Sequence, residues 1–203
     1  MLFIDKLGRK PLLTIGVSGI AVFMFLLAYG FNSASYNLKQ ENLSALSTEI
    51  DQSLILPIVG KEFKNDVQYK NTLIELLGPE TSKRFESELI TAAIDMNPML
   101  ILIGIIGFVA SFAISLGPVM WVLFSELFPL HVRGIAISAV GFVNSAVSAG
   151  VQFVFPWELS TIGSAPTFLI YGIFALLGLV FIIFKVPETK GKSLEELEAI
   201  LVK

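Results

Sequence analysis

Residues 116–134 read LGPVMWVLFSELFPLHVRG, and this stretch decides the fold. It takes in the end of an unbroken run, residues 96–125, that holds no Asp, Glu, Lys or Arg. Inside it, Pro118 lacks a backbone N–H and crowds the preceding turn, so Gly117-Pro118 reads as a helix break. Trp121 stands one turn beyond. The chain then leaves its apolar phase through an acid (Glu126), a proline (Pro129) and a base (Arg133). A segment built this way is a bent membrane helix held at one face by charges at the water boundary.

The rest of the chain follows the same pattern. Its 203 residues are 54% hydrophobic and 15% charged, with a mean hydropathy of +0.77. A soluble domain carries about 25% charged residues. Three more uncharged runs occupy residues 11–38, 134–157 and 159–184. Each exceeds the roughly 20 residues that cross a bilayer core as a helix. The predicted fold class is an all-α membrane protein. Its four transmembrane helices fall at 12–31, 99–125, 135–156 and 166–185.

Basic residues in short loops set the orientation. Lys6, Arg9, Lys10, Arg133, Lys185, Lys190 and Lys192 gather on one side, and the loop 156–166 has none. The basic side is therefore expected to be cytoplasmic, with both termini there. The domains read as a cytoplasmic loop and first span (1–31), an extracytoplasmic insert (32–97), three spans (98–186) and a cytoplasmic tail (187–203). The insert holds six bases against ten acids. Long translocated segments are largely indifferent to such charges.

The insert has helical patterning. Leu43, Leu46 and Ile50 share a face, as do Phe63, Val67, Ile74 and Leu77, with Gly78-Pro79 as a stop. Ser82 is placed to cap a third helix. Asn97-Pro98 reads as an N-cap followed by proline at the first position of the next span. Short helices over the outer mouth are expected, as a lineage-specific decoration or a lid. In the tail, Ser193-Leu194-Glu195-Glu196 forms a capping box, and Leu194, Leu197 and Leu201 give a surface helix one apolar stripe.

Several function classes are excluded. The chain has no cysteine, so disulfides, thiolate metal sites and thiol nucleophiles are absent. A net charge of −3 gives no basis for nucleic-acid binding. The lone histidine, His131, reads as a solvated loop residue. With no nucleophile–base pair, metal cluster or phosphate loop, no catalytic residue or cofactor is assigned. The chain does not read as an enzyme.

Three charged motifs converge on the inner face. Asp5, Gly8, Arg9 and Lys10 precede the first span. Glu126 and Arg133 flank Pro129 after the second. Pro187-Glu188-Thr189-Lys190-Gly191 follows the fourth. Opposite charges partly desolvated at an interface pair more strongly than at an open surface. Asp5, Arg9, Lys10, Glu126, Arg133 and Glu188 are therefore expected to form cytoplasmic ion pairs.

These motifs carry a resemblance. DKLGRKPLL resembles the loop between helices 8 and 9 of the sugar porter family of the major facilitator superfamily. GPVMWVLFSELFPLHVRG resembles that family's helix 10 signature. VPETKGKSLEELE resembles its sequence after helix 12. The resemblance covers nearly all of the chain except 32–97. It implies that the four spans are helices 9–12, a C-terminal part of a twelve-helix transporter whose helices 1–8 are missing from this sequence. It also implies transport of a monosaccharide (hexose or pentose) by alternating access, in the inner or plasma membrane. Protons are the candidate coupling ion. Their titrating acid would lie outside these spans.

The resemblance assigns sugar contact to Phe112, Gly117, Trp121 and Asn144, and the helix break to Gly117 and Pro118. An indole stacks on a pyranose face, and an amide both donates to and accepts from hydroxyls. By residue type alone, Trp121 serves equally in the interfacial belt, Phe112 in packing and Asn144 in a helix–helix contact. Met120 and Ser145 depart from the family pattern, so the sugar specificity of its members does not transfer. Two readings compete: a non-transporting four-span protein or inert remnant of a transporter, and, more distantly, a soluble enzyme.

Overall fold

The computed structural model describes residues 7–192 and residue 196. Asp5, most of the tail's capping box and its apolar stripe lie outside the described residues. Four segments are long and apolar enough to cross a membrane. The first is α1 (Arg9–Asn32). The insert follows: β1 (Ser35–Asn37), α2 (Gln52–Ile55), β2 (Glu62–Phe63), α3 (Asp66–Leu77), α4 (Pro79–Arg84), α5 (Glu86–Ala93) and β3 (Ile94–Asp95). The second span is divided into α6 (Pro98–Ile114) and α7 (Leu116–Leu127). The third is α8 (Arg133–Thr161) and the fourth α9 (Ser164–Lys185).

The helix break falls at Ser115, upstream of the predicted Gly117-Pro118. Ser115 has φ −115° and ψ −89°, outside helical values. Pro118 explains the displacement. Its ring excludes the carbonyl four residues back, at Ile114, so the chain gives way at the next residue. Ser115 is fully buried, and its Oγ donates to the Ser111 carbonyl at 2.7 Å. That bond keeps a polar group satisfied at the discontinuity.

Pro156 does not end the third span as expected. It lies inside α8, which runs on to Thr161 and takes in Glu158. Membrane helices tolerate such a proline because neighbouring groups satisfy the freed carbonyl. Asn97 caps α6 as expected, its Oδ1 accepting from the N–H groups of Met99 and Leu100.

Helix α1 lies between α6 and α9. Glycines allow the close approach. A methyl at Gly16 would overlap Ser115, and one at Gly107 would overlap the Phe23 ring. Small residues at membrane helix contacts let backbones approach in this way. Helix α8 stands apart: none of its residues is buried, and it touches α7 and α9 lightly.

The insert is less helical than its sequence suggests. Its strands form an antiparallel sheet in the order β2-β1-β3, with Tyr36 opposite both Phe63 and Ile94. Phe63, read as the start of a helix, belongs to β2. Ser82 does not cap a helix: it lies buried within α4, and α5 begins after Phe85. Gly78 does stop α3, with φ +79°. Leu38, Ile55, Tyr69, Leu73 and Leu89 make a core separate from the spans. Burying each such leucine contributes about 1.5–3 kcal/mol. The Tyr69 hydroxyl donates to the Leu89 carbonyl at 3.1 Å, and burial pushes its pKa up to about 12.

Asp66 fastens the insert to the bundle. One carboxylate oxygen accepts from the Ser164 N–H at 3.1 Å and its Oγ at 2.8 Å. This caps α9, whose own N-cap is Gly163, at φ +91°. A Cβ there would lie 2.6 Å from Asp66 Oδ1, so both the backbone conformation and the close approach require glycine.

Candidate functional site

Two arrangements carry the residues singled out by sequence. The first joins the N-terminal end of α1 to the C-terminal ends of α7 and α9. Helix α1 begins after Gly8, which has φ +93° and no side chain to cap the first N–H groups. Glu188, after α9, supplies the cap. Its Oε1 accepts from the Arg9 N–H at 3.0 Å and the Lys190 N–H at 2.9 Å, and its Oε2 from the Lys10 N–H at 3.2 Å. A carboxylate is favoured at the positive end of a helix. Burial alone would raise the Glu188 pKa. The N–H groups of Lys190, Arg9, Lys10 and Thr189 outweigh it and hold the carboxyl below its ordinary value.

Arg9 then reaches Glu126 at the end of α7. Its Nη2 lies 2.7 Å from Oε1, and its Nε donates to both oxygens at 3.1 and 3.2 Å. The pair is only partly exposed, at 14% and 24%. Thr189 donates to Glu126 Oε2 at 2.5 Å and is itself buried. Beneath this layer, Leu12, Leu13 and Val17 meet Val119, Leu123 and Ile182. The polar network therefore rests on an apolar plug shared by three spans.

Three of the residues expected in ion pairs, Lys10, Arg133 and Glu188, form none among the described residues, Glu188 meeting backbone N–H groups instead. Arg133 turns back to its own connection, and its Nε donates to the Phe128 carbonyl at 3.1 Å. It sits at the first position of α8, within reach of the unpaired carbonyls that end α7. One of its terminal nitrogens is buried without a hydrogen-bond partner. Lys10 takes part through its backbone N–H instead of its ammonium. Thr189 was the participant that charge reasoning passed over. Its place beside Glu188 in the PETKG motif was the available signal.

The second arrangement runs across α7 and α8. Trp121 is 46% exposed and Phe112 47%, so neither is sealed in the packed interior. The Phe112 ring lies against Gly117: a Cβ there would be 3.7 Å from its Cε1. Trp121 stands one turn after Gly117, on the same face of α7. Its indole approaches α8, 3.7 Å from a Cβ placed on Gly141. Asn144 follows one turn along α8, exposed and without a hydrogen bond among the described residues. An aromatic face, a bare glycine and an amide thus lie along one surface beside the Ser115 break. Phe124 packs edge-on to Trp121, with 6.1 Å between ring centres.

The chain is similar in sequence and fold to known proteins. The family described as "Sugar (and other) transporter" matches residues 85–201. The facilitated glucose transporter member 10 of solute carrier family 2 from Xenopus tropicalis is 29% identical over 97% of this chain and 40% of its own length. The D-xylose-proton symporter-like 3 protein of Arabidopsis thaliana is 32% identical over 98% of this chain and 25% of its own. An inward-open structure of the xylose transporter XylE from E. coli aligns with a TM-score of 0.62 at 28% identity, covering 98% of this chain and 31% of that one. The chain thus spans well under half the length of these relatives.

Proposed function

This chain belongs to the sugar transporter family, and on that premise we propose that its four spans form part of a transporter that moves a hexose or pentose by alternating access. The face of Phe112, Gly117, Trp121 and Asn144 is the sugar-contacting wall in this reading. The observation that carries it is the half-exposed Trp121 indole lying against Gly141, with the exposed Asn144 amide one turn away. The indole packs on the C–H face of a pyranose while the amide takes a hydroxyl. Sugar names among the relatives, glucose and xylose, support the substrate class.

The Glu188–Arg9–Glu126–Thr189 network is the inner closure. It holds the ends of α1, α7 and α9 together while the site faces the opposite side, and it loosens when the inner side opens. The buried terminal nitrogen of Arg133 is left for a carboxylate from the remaining part of the transporter. The basic residues of the short loops support a cytoplasmic side for this face and both termini, with the insert outside. The membrane is the plasma or inner membrane. Protons are the coupling ion that the symporter relatives suggest. Carboxylates of the four spans occur only in terminal turns, at Glu126 and Glu158. No coupling acid is therefore assigned to the middle of these spans.

Uptake of labelled hexoses and pentoses tests the reading, in a transporter of the relatives' full length that carries these spans. Trp121→Ala and Asn144→Ala should each depress uptake while membrane insertion stays unchanged. Full uptake by both variants would remove the site.

A further inference from the structure

A polar cavity and an apolar groove meet where the insert joins the bundle. The cavity, about 410 Å³, lies between the insert and the ends of α1 and α9, with Asn32, Tyr36, Lys64, Asn65 and Ser164 in its wall. The groove, also about 410 Å³, runs between α1 and α9 over Phe25, Ala28, Tyr29 and Leu169. Asn32, Ala165 and Pro166 line both, so the two adjoin across these residues, one mostly polar and the other mostly apolar.

Its position matches that polarity. The groove is on the last turns of α1 and the first turns of α9, with Tyr29 65% and Leu169 46% exposed. Those turns end one candidate span and begin another, where a helix crossing a bilayer leaves its core. The cavity has free hydrogen-bonding capacity. Tyr36 is almost fully buried, yet its hydroxyl has no hydrogen bond among the described residues. Lys64 is exposed and forms no ion pair among them. Asp66 also faces the cavity, with both carboxylate oxygens engaged by the N–H groups of Val67 and Ser164 and the Ser164 hydroxyl. The cation left uncommitted is Lys64. A free sugar would fill the polar end and leave the groove empty. A peptide would have to add to an outer strand, β2 or β3, and each offers an edge of only two residues.

We propose that this feature binds one membrane glycerophospholipid from the leaflet on the insert's side, its phosphate at Lys64, one of its two acyl chains in the α1–α9 groove and the other in the surrounding bilayer. The lipid holds the insert against α1 and α9, alongside the Asp66 cap. The groove is separate from the Trp121–Asn144 face, so the site is not part of the sugar path.

The test uses the whole chain reconstituted from mixed phosphatidylethanolamine and phosphatidylglycerol vesicles, then taken into mild detergent for native mass spectrometry. The wild type and the Lys61→Ala control should retain phospholipid. Lys64→Ala removes an exposed charge outside the core, and Ala165→Phe blocks the junction of cavity and groove. Each should lower retention by about tenfold or more, the effect of losing one good contact, with unchanged circular dichroism. No retained lipid, or equal retention by both variants, would overturn the proposal. Displacement of the lipid by glycerol 3-phosphate alone would reassign the cavity to small phosphate anions. Displacement by glucose or xylose would reassign it to sugar.

Discussion

Replacing Gly8 with alanine changes no charge, yet it should open the inner closure. Gly8 has φ +93° and ψ +162°, a conformation that residues with a side chain rarely adopt. Holding a non-glycine residue there costs about 1–3 kcal/mol. The new methyl would also lie 2.7 Å from Glu188 Oε2, so the carboxylate must withdraw from the α1 N–H groups. Loss of a helix cap costs about 1 kcal/mol. The two effects together come to about 3 kcal/mol, or roughly a hundredfold in the closed-to-open ratio. The chain has no cysteine, so a Thr189→Cys background gives a single thiol at a site that is 3% exposed. Its labelling rate, set against the unfolded chain, reads the opening equilibrium of the segment after α9. Gly8→Ala should speed labelling by about two orders of magnitude. Added to Glu188→Ala, it should have a smaller effect, because the clash is gone and only the backbone cost remains. Unchanged labelling, or full additivity with Glu188→Ala, would refute the claim that Gly8 is there to admit Glu188.

Other outcomes follow from the same geometry. Glu126→Gln keeps the side-chain shape but removes the charge that Arg9 meets at 2.7 Å. With partial exposure discounted, it should cost about 1–2 kcal/mol and speed labelling at the Thr189→Cys thiol by roughly 5- to 30-fold. The Glu188 carboxyl is held below its ordinary value of 4.5, so its contribution is complete above that value and is lost as pH falls through the lowered one. Labelling relative to the unfolded chain at the same pH should therefore rise on acidification below pH 4.5, and Glu188→Gln should flatten that part of the rise. Asp66→Ala should detach the insert at α9, at a cost of about 0.5–2 kcal/mol for the lost cap. Hydrogen exchange should accelerate at residues 67–69 and at Ser164 and Ala165 while the middle of α1 keeps its protection.

The spans were legible because an uncharged apolar run longer than a bilayer crossing rarely occurs in a water-soluble fold. Asn97-Pro98 and Gly78 were legible because a cap and a stop are local chemistry. The break was assigned to the residues that cause it, Gly117-Pro118, whereas the backbone gives way where the proline ring presses, at Ser115. The insert's sheet left no periodic signal, since its strands are two or three residues long. Where α1, α7 and α9 meet at one end, charge located Arg9, Glu126 and Glu188. It could not show that Glu188 would act on backbone N–H groups, that Arg133 would turn to the Phe128 carbonyl, or that uncharged Thr189 would complete the network. Those choices depend on distances between segments up to 179 residues apart. The Asp66 cap on α9 was hidden for the same reason.

A cysteine at Gly141, beside Trp121, tests the central claim most directly. In a transporter of the relatives' full length carrying these four spans, a water-soluble thiol reagent should label Gly141→Cys, and the transported sugar should slow that labelling. A thiol that never reacts from water, or reacts at one rate with and without any hexose or pentose, would contradict a sugar path along α7 and α8.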